Sequence, residues 1–207
     1  MRPFVDDDVR KAFASAIKEI ETKSGVEVAV AVRHHSGSYL HVDLCVGVVA
    51  AVATLFFLLY SDWEFRYAAF ILDPLLLGLL AGLISSRLPW LRRQLTRRSA
   101  QRERIQESAK RVFYEKGMSR TQDRIGLLVY VSLLERMVEL VPDTGLFDRA
   151  PQGFWHDHNL TIGSTIRGRS SGLAVAAAVT ALSADLAHAV PRALDDENEI
   201  ADEVTFP

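Results

Sequence analysis

The sequence predicts an α/β domain that is interrupted by a membrane-spanning helical hairpin. Two long apolar runs, Leu44–Tyr60 and Tyr67–Ile84, follow each other with only six residues between them. Two shorter segments rich in β-branched residues, Val26–Val32 and Ile125–Ser132, lie on either side of these runs and are typical of strands buried on both faces. Amphipathic helical segments flank the predicted strands, which favours layers of helices packed on a sheet.

Each apolar run approaches the ~20 residues that a helix needs to cross a ~30 Å hydrocarbon core. The short connection predicts an antiparallel hairpin, which returns the chain to the side that it left. The segments before and after the hairpin can therefore belong to one domain. We expect residues 1–40 to form the first part of the α/β domain, residues 41–86 the hairpin, and residues 87–207 the remainder of the domain.

The remaining elements follow from local patterns. Asp6, Asp7 and Asp8 offer N-caps for a first helix, which Ser24 and Gly25 end. After the hairpin, the pattern predicts a long basic helix, two further strands that pair as a hairpin, and two helices, at about Trp90–Lys116, Ile125–Ser132, Met137–Val141, Ala150–Asn159 and Ser171–Ala189. The last helix has the length of a third span, but Asp185, His188 and its many small residues favour a packed helix.

The net charge of −2 hides a strong asymmetry. Residues 87–124 carry twelve Lys and Arg against four Asp and Glu, whereas residues 191–207 carry six acids against Arg192 alone. A basic block directly after a membrane segment is typical of the cytoplasmic flank, where it attracts anionic headgroups. We therefore expect segment 87–104 to contact the lipid bilayer. No aromatic interleaving supports nucleic-acid binding, and we expect no nucleic-acid partner.

The arginines also predict the orientation. Five of them follow the second apolar run, and Arg33 precedes the first, whereas the connecting loop has only Arg66 beside Asp62 and Glu64. The positive-inside rule then predicts an integral protein of the inner membrane with two spans. Both termini and the soluble domain are predicted to be cytoplasmic. The single Cys45 lies within the first apolar run, so neither an intrachain disulfide nor a cysteine zinc cluster can form.

Several stretches outside the hairpin resemble the TPM domain, which is found in thylakoid-lumen proteins and in many bacterial membrane-associated proteins. The resemblance covers the opening helix and strand, the second strand with the turn after it, the third strand and its turn, a tryptophan, and the acidic tail. In this sequence these are Ile17–Val32, Phe113–Arg136, Val138–Leu146, Phe154-Trp155 and Pro191–Val204. The sequence departs from the family pattern at Val26, where a smaller residue is frequent, and at Ala201, where proline is frequent.

The resemblance implies an α/β/α sandwich around a small mixed sheet. It also implies an acidic cleft for a divalent cation such as calcium, and an acid-phosphatase activity in some members. Many members are instead assembly or maintenance factors for membrane complexes, and short members carry a membrane hairpin after the first strand. Many TPM domains face a lumenal or extracytoplasmic space, whereas the arginines of this chain predict the cytoplasm.

Candidate site residues are acidic. Asp143 follows the third predicted strand in a Pro-Asp-Thr-Gly turn, and could bind Ca²⁺ or Mg²⁺ with tail residues Glu199, Asp202 and Asn198, because such ions take six or more oxygen ligands. The alternative is an aspartate that only stabilises its turn. Glu27 is the single acid in an apolar strand, and either pairs with Arg124 or Arg136 or lines the cleft.

Other residue patterns are less informative. Glu135 and Arg136 are most simply a polar turn with a salt bridge, and Trp155 is expected to be structural or to lie at the cleft. His156 and His158 diverge on a helix, which disfavours a transition-metal site. The chain is therefore expected to be a membrane-anchored binding, assembly or scaffold module that engages a membrane-protein partner. A metal-dependent phosphatase near the membrane is the alternative, since metal-assisted hydrolysis is the enzyme chemistry that these residues allow.

Overall fold

The computed structural model describes residues 6–167, 172–192 and 204–205. Contacts between Cα atoms divide the chain into two compact units. The α/β unit comprises residues 1–36 and 102–207, and the hairpin unit comprises residues 37–101. The contacts thus assign residues 87–101 to the hairpin unit, beyond the boundary that the sequence predicts after residue 86.

The described elements alternate between helices and strands, with a helical insertion after the first strand. In chain order they are α1 (Asp7–Lys23), β1 (Glu27–Arg33), α2 (Leu40–Tyr60), α3 (Ala69–Ser86), α4 (Pro89–Leu95), α5 (Arg98–Glu115), two 3-10 turns (Met118–Arg120 and Gln122–Arg124), β2 (Gly126–Ser132), β3 (Met137–Pro142), α6 (Thr144–Arg149), α7 (Phe154–Arg167), α8 (Gly172–Thr180), α9 (Leu182–Ala189) and β4 (Val204–Thr205).

The α/β unit contains a four-stranded mixed sheet in the order β3-β2-β1-β4. β1 and β2 are parallel, with Glu27 opposite Gly126 and Arg33 opposite Ser132. β3 is antiparallel to β2, and β4 is parallel to β1. The predicted α/β class and the predicted β2–β3 hairpin are confirmed, whereas the two-residue strand β4 was not predicted.

Helices cover both faces of this sheet. On one face, alternate strand residues such as Val30 and Val129 pack with α1, α7, α8 and α9. On the other face, Ala31 and Tyr130 pack with the C-terminal part of α5. Because neighbouring strand residues point to opposite faces, both faces require apolar side chains, and β2 is buried at all seven positions. This explains why the strands are continuous apolar runs in the sequence.

The hairpin unit is built from α2, α3 and α4. Glycines allow α2 and α3 to approach closely: a Cβ atom on Gly47 would lie 2.9 Å from the carbonyl oxygen of Gly78. α2 and α3 are long and apolar enough to cross a membrane, as is the stretch Gly172–Ala189 that contains α8 and α9. The chain therefore has three described candidates for membrane spans.

Three predicted helices differ in extent or continuity from those in the structure. The predicted helix Trp90–Lys116 is broken between α4 and α5, where the side-chain amide of Gln101 donates hydrogen bonds to the carbonyl oxygens of Arg93 (2.7 Å) and Thr96 (3.1 Å). These bonds satisfy carbonyls at the end of α4, so a separate helix end is stable there. The predicted helix Ala150–Asn159 begins later and extends further, as α7, and the last predicted helix contains a turn at Ala181.

Candidate functional site

The predicted site residue Asp143 is buried and held by the chain around it. Its backbone N–H donates to the carbonyl oxygen of Gly126 (2.8 Å), which fixes the turn after β3. Its carboxylate accepts a hydrogen bond from the backbone N–H of Thr144 (2.7 Å) and is the N-cap of α6. The Nε atom of Arg124 lies 3.3 Å from both carboxylate oxygens. Asp143 therefore has the turn-stabilising role that one reading of the sequence predicts.

The loop that places Arg124 has an unusual backbone. Asp123 (φ 63°) and Arg124 (φ 57°) both adopt left-handed conformations, which are uncommon for residues other than glycine. Gly145 packs so closely on this loop that a Cβ atom there would lie 2.0 Å from the carbonyl oxygen of Asp123. Two positions of the Pro-Asp-Thr-Gly sequence are thus explained: Asp143 caps α6, and Gly145 leaves room for the neighbouring loop.

The strand directions decide which acids share an end of the sheet. Because β3 runs antiparallel to β2, Pro142 lies opposite Leu127, and Asp143 reaches the end of the sheet where Glu27 begins β1. Glu27 is buried at that end, with 7% of its surface exposed. The structure thus places Glu27, Arg124 and Asp143 at one end. The predicted tail ligands Asn198, Glu199 and Asp202 lie outside the described residues.

Glu135 lies at the opposite end of the sheet, in a polar cluster that sequence reasoning missed. Its carboxylate accepts hydrogen bonds from the backbone N–H of Ser36 (3.0 Å) and from the hydroxyl of Ser132. The hydroxyl of Tyr130 lies 3.2 Å from that of Ser36 and 2.9 Å from that of Ser108. This end is the carboxyl end of the parallel strands β1 and β2, where α/β folds commonly present functional groups.

One signal for this polar cluster exists in the sequence. Tyr130 lies inside a buried strand, and a buried tyrosine hydroxyl needs a hydrogen-bonding partner. The partners Ser36 and Ser108 are distant in sequence and come together only in the fold. Arg136, the other residue of the predicted polar turn, is half-buried with a left-handed backbone (φ 52°) that closes the β2–β3 hairpin.

Trp155 and the histidines belong to α7. Trp155 is 8% exposed and packs in the core, and its indole N–H has no hydrogen-bonding partner among the described residues. The Nε2 atom of His158 lies 3.3 Å from a carboxylate oxygen of Asp185 on α9. Within the described ranges, no group of three or more His, Cys, Asp or Glu side chains is placed to hold a metal ion.

A second polar group, in the hairpin unit, was also missed. Asp43 on α2 is 7% exposed, and its Oδ1 atom accepts hydrogen bonds from the Ser85 hydroxyl (3.0 Å) and from Nε of Arg92 (3.1 Å). A second Arg92 nitrogen contacts the other carboxylate oxygen. This bidentate pair joins α2 to α4, and Ser85 joins α3 to it, so Arg92 is an internal contact and not a free surface charge.

Comparison with known proteins supports the fold alone. No family model matches the chain, and no curated protein matches it. A solved structure, the NMR structure of the BA42 protein from the psychrophilic bacterium Bizionia argentinensis, is similar with a TM-score of 0.58 and 15% sequence identity. The similarity covers 99% of this chain and 97% of BA42. At this identity the match indicates a shared fold and carries no information about activity.

Proposed function

We propose that the chain is a membrane-anchored, TPM-like binding or scaffold module, with α2 and α3 crossing the bilayer. The observation that carries this proposal is the exposure of apolar side chains along both helices. Val49, Phe57, Ile71 and Leu79 are each more than 60% exposed, although large exposed apolar patches are rare on soluble monomers. A lipid bilayer is the environment in which such a surface is stable.

The ends of the two helices support the same proposal. Trp63 (73% exposed) and Tyr67 (94% exposed) lie in the α2–α3 connection, as expected of aromatic residues at a membrane interface. Arginines follow α3 at the other end of the hairpin. We infer that this arginine end, and with it both segments of the α/β unit, faces the cytoplasm.

The topology can be tested with single cysteines in a Cys45→Ser background. We expect a cysteine at Asp62, in the connection, to react with an impermeant maleimide from outside intact cells. Cysteines at the exposed positions Ser15 and Glu107 should react only after permeabilisation. Labelling of Ser15→Cys and Glu107→Cys on opposite sides of the membrane, or of all three positions on one side, would contradict two spans.

The predicted alternative is a metal-dependent phosphatase. An assay of phosphate-ester hydrolysis distinguishes it from a scaffold. The full chain in detergent is assayed with an aryl phosphate in the presence of Ca²⁺ or Mg²⁺, alone and as the variant Asp143→Ser. Serine retains the helix cap but removes the carboxylate that Arg124 contacts, so the thermal midpoint of the variant is measured beside its turnover. We expect no turnover from either protein. Turnover that is lost in Asp143→Ser would establish the phosphatase and overturn the scaffold proposal.

A further inference from the structure

A groove of about 430 Å³ lies along one side of the hairpin unit, between α2 and α3. Its walls come from residues spaced three or four apart on each helix, such as Leu44, Val48 and Ala51 on α2 and Leu75 and Leu79 on α3. This spacing places the groove residues of each helix on a single face. The lining is apolar apart from Asp43 and Ser86 at one end.

The length of the groove matches one leaflet of a bilayer. On α2 it extends from Leu40 to Ala51, which corresponds to about 16 Å at the rise of ~1.5 Å per residue. A hydrocarbon core is ~30 Å thick, so the groove spans roughly half of it. A partner helix that crosses the membrane would contact the hairpin over its whole length. An acyl chain from one leaflet extends only from the interface to the midplane, as this groove does.

Positive charge follows Ser86 in the sequence, directly after the end of α3 that lines one end of the groove. Besides Arg92, four arginines follow Ser86 within the hairpin unit and form the arginine group: Arg87, Arg93, Arg97 and Arg98. Three of them are exposed, and Arg93 is half-buried. Asp43, at the same end, is already paired with Arg92. The charge that remains at this end is therefore positive and complementary to a phosphate.

The helix that carries part of the arginine group is fixed in place. α4 is joined to α2 by the Arg92–Asp43 pair, and its last carbonyls accept hydrogen bonds from Gln101. Gln101 is 2% exposed, so these bonds are protected from water. A helix that carries positive charge and is already fixed next to an apolar groove is suited to bind an amphipathic molecule, because less conformational entropy is lost on binding.

We propose that the groove binds one acyl chain of an anionic phospholipid, whose phosphate contacts the arginine group. This site rests on the proposed membrane insertion and adds to it a specific lipid partner. The lipid belongs to the leaflet at the arginine end of the hairpin. Arginines near the membrane surface attract anionic lipid, which favours phosphatidylglycerol over phosphatidylcholine.

The test is native mass spectrometry of the full chain in detergent, titrated with phosphatidylglycerol or phosphatidylcholine of the same acyl chains. Val48→Trp places a large ring in the groove from a position that is 61% exposed, and Val49→Trp is the matched control, 68% exposed and outside the lining. We expect Val48→Trp to weaken binding of both lipids about tenfold. Val49→Trp should bind like the wild type.

The headgroup is tested separately. The triple variant Arg93→Gln, Arg97→Gln, Arg98→Gln should lose a preference for phosphatidylglycerol of about tenfold or more. A control with the same loss of charge on exposed α/β-unit positions, Lys11→Gln, Lys18→Gln, Arg111→Gln, should keep the preference.

The proposal is overturned by equal binding in Val48→Trp and Val49→Trp, or by a retained phosphatidylglycerol preference in the arginine triple variant. It is also overturned if Val48→Trp instead converts a dimer to a monomer, which would assign the groove to a second copy of the chain. Carbonate extraction of the same variants from membranes separates the two proposals. Release of the wild type would refute membrane insertion, whereas retained protein without lipid selectivity would refute the lipid site alone.

Discussion

Two regions of this chain have the composition of membrane spans but differ in what surrounds them. In α2 and α3, 22% and 11% of the most apolar 18-residue stretch are buried. In the stretch that contains α8 and α9, the buried share is 39%. α2 and α3 contact mainly each other, along a line of closely packed glycines called the glycine seam: Gly47, Gly78 and Gly82. α8 and α9 contribute Val175, Val179 and Leu186 to the core on one face of the sheet.

The comparison shows that apolar composition alone does not identify a membrane span. The groups that surround the side chains of the helix must also be known. Val179 and Leu186, on α8 and α9, are completely buried by the protein itself. Leu79 and Val49 are exposed on helices that, within the hairpin unit, contact each other and α4. Small residues allow α8 to pack closely on α1. In α2 and α3, glycines allow two helices with exposed apolar surfaces to pack closely on each other.

The largest expected effect contrasts two leucines. Leu186→Ala removes a fully buried side chain and should lower the free energy of unfolding of the α/β unit by about 2–5 kcal/mol. Leu79→Ala, at a position 63% exposed, should change it by less than about 0.5 kcal/mol. Denaturant unfolding followed by Trp155 fluorescence, with Trp63 and Trp90 replaced by Phe, measures both. Equal losses would remove the distinction between the two regions.

The polar contacts of the two regions give the next contrast. Asp43→Ala leaves Arg92 without its carboxylate, and should destabilise the hairpin unit by about 1.5–3 kcal/mol. Asp185→Ala on α9 removes the contact with His158, in which Asp185 is 54% exposed, and should cost no more than about 1 kcal/mol. Thermal unfolding of the full chain in detergent compares the two variants. A larger loss for Asp185→Ala would contradict the assignment of the Asp43 pair as an internal contact.

The glycines allow a steric test of similar or smaller size. A Cβ atom on Gly78 would lie 2.8 Å from the Gly47 carbonyl oxygen, so Gly78→Leu should separate α2 from α3 and cost about 1–3 kcal/mol. Gly163 on α7 has nothing within 4 Å of its would-be Cβ atom. Gly163→Ala should therefore be neutral or stabilise by up to about 1 kcal/mol. The thermal midpoints of the two variants in detergent should move apart, and coincident midpoints would show that the glycine seam is not tight.

The smallest effect is a pH dependence confined to the α/β unit. Partial burial on β3 raises the pKa of Glu139 above its ordinary value, against the opposing contact with Gln106 and the charges of Arg102 and Lys110. The folded state therefore favours the protonated form, and this contribution to stability is lost as the pH rises through the raised pKa. Glu139→Gln should be more stable than the wild type at pH 7, by less than about 1 kcal/mol because solvent screens the group.

The measurement for Glu139 is Trp155-detected unfolding at several pH values, with the exposed Glu103→Gln as control. The difference between Glu139→Gln and the wild type should shrink as the pH is lowered. A difference that grows on acidification would reverse the sign of the argument.

Much of the α/β unit was predictable, because its central strands carry their own signal. β1 and β2 are apolar on both faces, and each was expected within a residue or two of its observed bounds. β4 was not predictable, since two residues in an acidic segment become a strand only by pairing with Val30 and Ala31. The end of α4 was missed for the same reason, because it depends on the side chain of Gln101 and not on a glycine or proline.

The candidate sites were predictable only in part. Asp143 was expected at a strand end, but its pairing with Arg124 depends on two left-handed residues that no local pattern predicts. The Ser36–Glu135 contact joins positions far apart in sequence. Arg92 was counted among the charges that face lipid headgroups, yet the structure pairs it with Asp43. Tertiary partners decide whether each of these charges is free or engaged.

The parallel pairing of β1 with β2 has a consequence for biosynthesis. β1 is complete at Arg33, whereas its neighbour β2 begins only at Gly126. When β1 leaves the ribosome, the strand that will cover its edge has not been translated, and the intervening helices must first leave the exit tunnel. The nascent apolar β1 therefore waits without its partner, a state that favours aggregation. Early insertion of α2 and α3 by the translocon would hold the growing chain at the membrane through this interval.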